Sequence, residues 1–205
     1  MPIPLASINH GANSIWGNEV ELLPGKKIML NAASGKGKST FTYTTTGLRN
    51  DYSGAILYDD RDVKTFSVEE WTTIRQTKIS TVFQDLQLFP TLTVKENLLL
   101  KNKLTSVFSE SELKEKLDQL GIADKWEQRC GLLSMGQQQR VAIIRALAQP
   151  FEWLIMDEPF SHLDEANTQL CLAMINKRAD ELNAGFVLTS LGDDHAFQYD
   201  YTLNL

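Results

Sequence analysis

The stretch Asn31-Ala32-Ala33-Ser34-Gly35-Lys36-Gly37-Lys38-Ser39-Thr40 combines glycines, lysines and hydroxyls at a spacing that suits phosphate chemistry. Glycines let backbone N–H groups approach and wrap an anion, and the N-terminus of a following helix adds partial positive charge toward it. In this arrangement Ala33, Ser34, Gly35, Lys36 and Gly37 form the cradle, and Lys38 is the cation for β- and γ-phosphates. Ser39 offers its hydroxyl to Mg²⁺, which prefers hard oxygen ligands and takes several from water and phosphate. Thr40 is a second, less specific hydroxyl. Ala32 stands where the pattern G-x-x-x-x-G-K-[ST] begins with glycine, adding a Cβ where the chain leaves the preceding strand.

A cradle of this kind needs a strand before it and a helix after it. Residues 27–30 read as a short buried strand and residues 39–48 as a helix. Two further apolar runs end in polar groups: Trp153-Leu154-Ile155-Met156 before Asp157-Glu158, and Phe186-Val187-Leu188-Thr189 before Ser190. Fully apolar strands of this length suit a parallel sheet covered on both faces. Open α/β sheets bind ligands at the C-terminal edge of their strands, so Asp157 and Ser190 are expected beside the phosphate loop. Residues 79–83 are a further strand, which Gln84 ends.

The remaining elements frame this core. Residues 3–8 and 19–23 read as β elements, and His10 and Trp16 each carry a flat π face on which an adenine could stack, or which could simply pack. Residues 55–58 followed by Asp59-Asp60-Arg61-Asp62 suit a small antiparallel sheet. The spacing of Ser67 and Glu70 predicts a capping box and a short helix. From residue 93 to 124 the pattern is helical, with Leu113, Leu117 and Leu120 on one face, and a further helix is predicted over 135–148 with Val141, Ile144 and Leu147 buried.

Composition narrows the class. A 205-residue chain with 42% hydrophobic residues supports one continuous core without staples. Cys130 and Cys171 lie far apart with no C-x-x-C partner, which predicts reduced packed thiols. No basic n-region with a long apolar core opens the chain and no run spans a bilayer, so a cytoplasmic chain without direct membrane insertion is expected. A net charge of −6 with scattered basic residues argues against nucleic acid as a partner.

With these positions laid out, the chain resembles the ATP-binding cassette (ABC) ATPases over nearly its whole length. The segment Ala32 to Ser39 resembles Walker A, and Gln84 in Val-Phe-Gln-Asp resembles the Q-loop. Leu133-Ser134-Met135-Gly136-Gln137 resembles the signature, Leu154 to Glu158 resembles Walker B with its catalytic glutamate, and Ser161-His162-Leu163-Asp164 resembles the D-loop. The resemblance implies one ABC ATPase domain over 1–205: an α/β, RecA-like P-loop core, a small antiparallel β sub-domain and a helical sub-domain at about 85–140. It implies ATP and Mg²⁺ as ligands and a head-to-tail homodimer, in which ATP on one copy's Lys38 is covered by Ser134, Gly136 and Gln137 of the other. Asp157 would then hold a water of the Mg²⁺ shell, Glu158 would polarise the attacking water, and Gln84 would reach Mg²⁺ or that water. A separate transmembrane permease, reached at the inner face of the membrane, is the implied partner, and Gln84 would sense it.

Thr93-Val94-Lys95-Glu96-Asn97 and the context of Gln84 look most like the short ATPases of lipoprotein-releasing, macrolide-export and cell-division systems. Three positions depart from the family pattern: Ala32, Met135 in place of the first signature glycine, and Ser190 where a switch histidine follows Thr189. His195 lies further on, readable as a surface helix residue or as a displaced switch. The departures leave a second reading open, a nucleotide-binding interaction module with little turnover.

Overall fold

The structure, a computed structural model, describes residues 14–205. Five strands form one parallel sheet: β1 (Lys27–Asn31), β4 (Ile79–Val82), β5 (Trp153–Asp157), β6 (Gly185–Ser190) and β7 (Tyr201–Asn204). Their order is β4-β5-β6-β1-β7. The register pairs Asn31 with Ser190 and Asp157 with Thr189, so the polar strand ends share one edge.

Strand periodicity sends successive side chains to opposite faces, and the sheet is covered on both. Ile28, Leu30, Ile155 and Val187 pack with Phe41 of α1 (Lys38–Thr45). Leu154, Met156, Phe186 and Leu188 pack with α5 (Met135–Leu147) and α6 (Glu165–Leu182). Burial on both faces is why these strands read as unbroken apolar runs.

Between β4 and α5 lie α3 (Val94–Asn102) and α4 (Glu110–Gln119), joined to the core through fully buried Leu98, Leu113, Leu117 and Leu120. Capping boxes start α3, α4 and α5, as well as α2 (Val68–Thr77), each pairing a Ser or Thr hydroxyl with a Glu or Gln three residues on. Such caps contribute about 1 kcal/mol each. Leu57–Tyr58 (β2) pairs antiparallel with Arg61–Asp62 (β3). Asp59 and Asp60 turn the chain between them with φ of 49° and 62°, the two-residue left-handed turn that matches hairpin twist.

Residues 19–23 are not a strand. No ladder pairs them, and the Leu23 N–H donates to the Tyr201 hydroxyl at 3.4 Å, while Ser14 and Ile15 meet Asn204 of edge strand β7. The expected β element at 3–8 lies outside the described residues. Both cysteines are buried and free, and burial raises their thiols to about 11 for Cys130 and about 12 for Cys171.

Candidate functional site

After β1 the backbone turns left-handed at Gly35 (φ 76°) and Gly37 (φ 105°), conformations that exclude an ordinary side chain without strain. Ala32 has no positive φ and is buried, so its Cβ is accommodated where the sequence pattern has glycine. Gly37 is the N-cap of α1, and no side chain caps the amides of that first turn. They remain available to an anion, together with the helix's partial positive charge.

Lys38 folds back over the loop. Its Nζ donates to the Ala32 carbonyl at 3.0 Å and to the Ala33 carbonyl at 3.3 Å, and lies 3.1 Å from Glu158 Oε1. The Lys38 side chain is 5% exposed and that of Glu158 18%. A largely enclosed ammonium therefore faces one carboxylate at the mouth of the cradle, the position an incoming phosphate oxygen would contest.

The oxygen donors lie alongside. Ser39 Oγ donates to Gln84 Oε1 at 3.3 Å. Asp157 is buried, and its Oδ1 accepts from the Thr189 hydroxyl at 2.8 Å. That same hydroxyl oxygen accepts from the backbone N–H of Glu158 at 3.1 Å, where the chain leaves β5 with φ of 48°. Thr189 thus orients the aspartate and fixes the kink that presents the glutamate. No cluster of three or more His, Cys, Asp or Glu among the described residues could hold a metal alone. A hydroxyl, an amide oxygen and one carboxylate instead suit Mg²⁺, which completes its shell with phosphate and water.

Trp16 Nε1 donates to the Lys36 carbonyl at 3.3 Å, which fastens the indole to the phosphate loop. His10, the other candidate for adenine, lies outside the described residues. At the end of β6, Ser190 Oγ donates to the Asp193 carbonyl at 2.6 Å and accepts from the Asp193 N–H at 3.0 Å, so its hydroxyl closes its own turn. That turn brings His195 back. Its ring meets Phe160 edge-on at 5.1 Å, its Nδ1 lies 3.4 Å from Asp193 Oδ2, and it lines a cavity of about 280 Å³ with Glu158 and Ser190. With φ of 53°, His195 is a loop residue and not part of a surface helix.

The segment at the start of α5 is occupied with itself. Ser134 Oγ accepts from the Gln137 N–H at 3.3 Å, and Gln137 Oε1 accepts from the Ser134 N–H at 3.0 Å. Met135 is 46% exposed. A Cβ on Gly136 would stand 2.7 Å from the His162 carbonyl, so this glycine permits α5 to touch the 161–162 turn. Buried Gln139 completes that contact, donating to Ser161 Oγ at 2.9 Å and accepting from the His162 N–H at 3.0 Å. The structure therefore brings Lys38, Ser39, Gln84, Asp157 and Glu158 together, while the hydrogen bonds of Ser134 and Gln137 run to each other.

Beside the turn that carries Gln84 is a second cavity of about 250 Å³, lined by Phe83, Phe89, Leu100, Lys101 and Arg145 among others. Burial, with the Arg145 charge adding to it, pushes the Lys101 ammonium down to about 8. Burial likewise lowers Arg145. Sequence reasoning missed Thr189 as an orienting group, Gln139 and Arg145, because each acts through contacts between elements distant in sequence.

Comparison with known proteins agrees with this geometry. Residues 17–161 match the family described as ABC transporter. An ABC transporter ATP-binding protein of Mycobacterium tuberculosis is 34% identical over 81% of this chain and 51% of its own length, so the chain spans about half of that relative. The lipoprotein-releasing system ATP-binding protein LolD of Leptospira interrogans is 30% identical over 89% of this chain and 78% of its own. A dimeric bacterial ABC transporter cassette superposes with a TM-score of 0.78 at 27% identity, covering 90% of this chain and 84% of that one.

Proposed function

Since the chain belongs to the ABC transporter ATP-binding family, we propose that it is the ATP-binding and ATP-hydrolysing subunit of a transporter whose permease is a separate membrane chain. No helix among the described residues is long and apolar enough to cross a membrane. A permease would hold the subunit at the cytoplasmic face. Two copies would close head-to-tail, each offering Ser134, Gly136 and Gln137 to the nucleotide of the other.

The observation that carries this reading is the convergence of Lys38, Glu158 and Asp157 at one sheet edge, with Lys38 Nζ 3.1 Å from Glu158 Oε1. The loop amides and Lys38 bind the triphosphate, and Ser39, Gln84 and Asp157 would hold Mg²⁺, which neutralises charge on the β- and γ-phosphates. Released from Lys38 by the arriving phosphate, Glu158 polarises the water that attacks phosphorus, while the bond to the bridging oxygen breaks and ADP leaves. Thr189 keeps Asp157 and the Glu158 backbone in place through this exchange.

A second reading, a nucleotide-binding module with little turnover, is favoured by one feature: the Ser190 hydroxyl is committed to Asp193 and offers no imidazole. Steady-state phosphate release with Mg-ATP separates the two. The transporter reading expects turnover that Glu158→Gln abolishes while ATP stays bound, together with co-purification of a multi-span membrane protein. Wild-type release no faster than that of Glu158→Gln would favour the module.

A further inference from the structure

Arg145 sits in the last turn of α5, eleven residues from the Ser134 cap. Its guanidinium does not pair with a carboxylate among the described residues. It forks across two backbone carbonyls of the turn after β4, Nη1 donating to Gln87 at 2.7 Å and Nη2 to Leu86 at 2.6 Å. Leu86 and Gln87 are consecutive non-glycine residues with φ of 60° and 51°, a conformation L-residues avoid unless their surroundings impose it. The turn's internal bonds are short-range, Leu86 N–H to the Phe83 carbonyl at 2.9 Å and Gln87 N–H to the Asp85 carbonyl at 2.7 Å. Arg145 ties the backbone of the turn to α5 over a long range in sequence.

Gln84 lies inside this turn, and its Oε1 receives the Ser39 hydroxyl. α5 is one continuous helix, and its far end begins at the Ser134 cap. A shift of α5 is therefore transmitted by the two forked bonds to the backbone that seats Gln84.

We propose that Arg145 is a positioning residue for Gln84, holding the 86–87 backbone left-handed so that the amide stays at Ser39, and thereby tying the Ser134 end of α5 to the metal side of the same chain's phosphate loop. The proposal rests on the reading of Gln84 as a group of the hydrolytic site. A planar fork is needed for two adjacent carbonyls, and a lysine ammonium supplies a point charge without that geometry.

The test uses Arg145→Lys, Gln87→Val and Gln84→Ala, alone and combined. Gln87 is exposed, and a β-branched residue there opposes the left-handed turn without touching Arg145 or the core. Small misplacements of catalytic groups cost up to about a hundredfold in rate. Arg145→Lys and Gln87→Val should each lower kcat at saturating Mg-ATP by about tenfold to a hundredfold and raise the Mg²⁺ concentration for half-maximal turnover. Binding of a fluorescent ATP analogue in EDTA should stay within about twofold of wild type, the outcome expected when positioning and not binding is lost. Combined with Gln84→Ala, neither should lower turnover further. If Gln84→Ala itself leaves turnover and Mg²⁺ dependence at wild type, the reading of Gln84 fails and the proposal with it. If Gln84→Ala slows turnover but Gln87→Val leaves Mg²⁺ dependence unchanged, or multiplies the Gln84→Ala defect, the proposal alone is overturned.

Discussion

The pairing of Lys38 with Glu158 makes the glutamate a competitor for the nucleotide. The two charges are 3.1 Å apart, and the lysine is almost wholly enclosed. At an effective dielectric of about 20 their gross attraction is about 5 kcal/mol. Net hydrogen bonds to charged groups are worth about 1.5–3 kcal/mol and neutral ones about 0.5–1.5 kcal/mol, so replacing the carboxylate by an amide should forfeit about 1 kcal/mol of the competing contact. Glu158→Gln should therefore bind ADP about fivefold more tightly than wild type, since about 1.4 kcal/mol is tenfold. ADP is the right probe because its titration leaves closure of two copies around a γ-phosphate out of the measured affinity. The assay is calorimetric titration of Mg-ADP into both proteins at the same ionic strength. An ADP affinity equal to or weaker than wild type in the glutamine variant would refute the competition.

Lys38→Ala should weaken Mg-ATP binding by well over tenfold, from the roughly 1.5–3 kcal/mol of a charge-assisted contact; calorimetry giving wild-type affinity would remove the phosphate-loop assignment. Lys101 binds its proton less tightly folded, at about 8, than at its ordinary value of 10.5. Between those values the unfolded chain holds more protons, so this group makes stability rise with pH across that window and costs stability below it. Lys101→Met should raise the urea midpoint at pH 7 and flatten the rise between pH 8 and 10.5, a gain of roughly 1–3 kcal/mol after allowing for partial exposure; an unchanged midpoint counts against it. A missing donor to a developing charge is commonly worth ~2.7–4 kcal/mol. If that donor is lost outright, Ser190→His should speed phosphate release and adding Met135→Gly should speed it further. If His195 supplies it across the cavity shared with Glu158, His195→Ala should slow release and Ser190→His should do little. Fast wild-type turnover insensitive to all three defeats both ideas.

The sheet and its helices were legible because their signals are local. Trp153 to Met156 is an apolar run long enough for a strand, the leucines at 113, 117 and 120 follow helical spacing, and the Ser67–Glu70 capping box announces its own helix. The strand-loop-helix geometry at 27–45 was legible for another reason: a loop of this kind is a contiguous segment, so its pattern lies in adjacent letters. Residues 19–23 misled because a short apolar run bounded by turn residues does not say whether a partner strand lies beside it, and none pairs with them. His195 misled in the same way, since the Ser190–Asp193 turn that redirects the chain is made by a hydroxyl, and a hydroxyl has no periodicity. Thr189, Gln139 and Arg145 could not be singled out because each joins elements whose adjacency the sheet order decides.

Several polar groups assigned to the nucleotide have partners inside the chain. Lys38 holds Glu158 and two carbonyls, Ser39 holds Gln84, Ser134 and Gln137 cap each other, and Ser190 holds Asp193. An enclosed polar group left without a partner would cost about 1–3 kcal/mol, a penalty that applies to the enclosed Lys38. The pairing also means that binding exchanges one set of hydrogen bonds for another, and the affinity is the difference between two sums of similar size. Two of these exchanges have a direction. Freeing Glu158 from Lys38 would release the group proposed to activate water, and freeing Gln84 from Ser39 would release the group proposed to be tied through Arg145 to α5. Under the proposed function, nucleotide arrival at the loop would be coupled to readiness for hydrolysis by the same bonds it displaces, and the Ser134 end of α5 would be linked to that exchange through the two carbonyls that Arg145 holds.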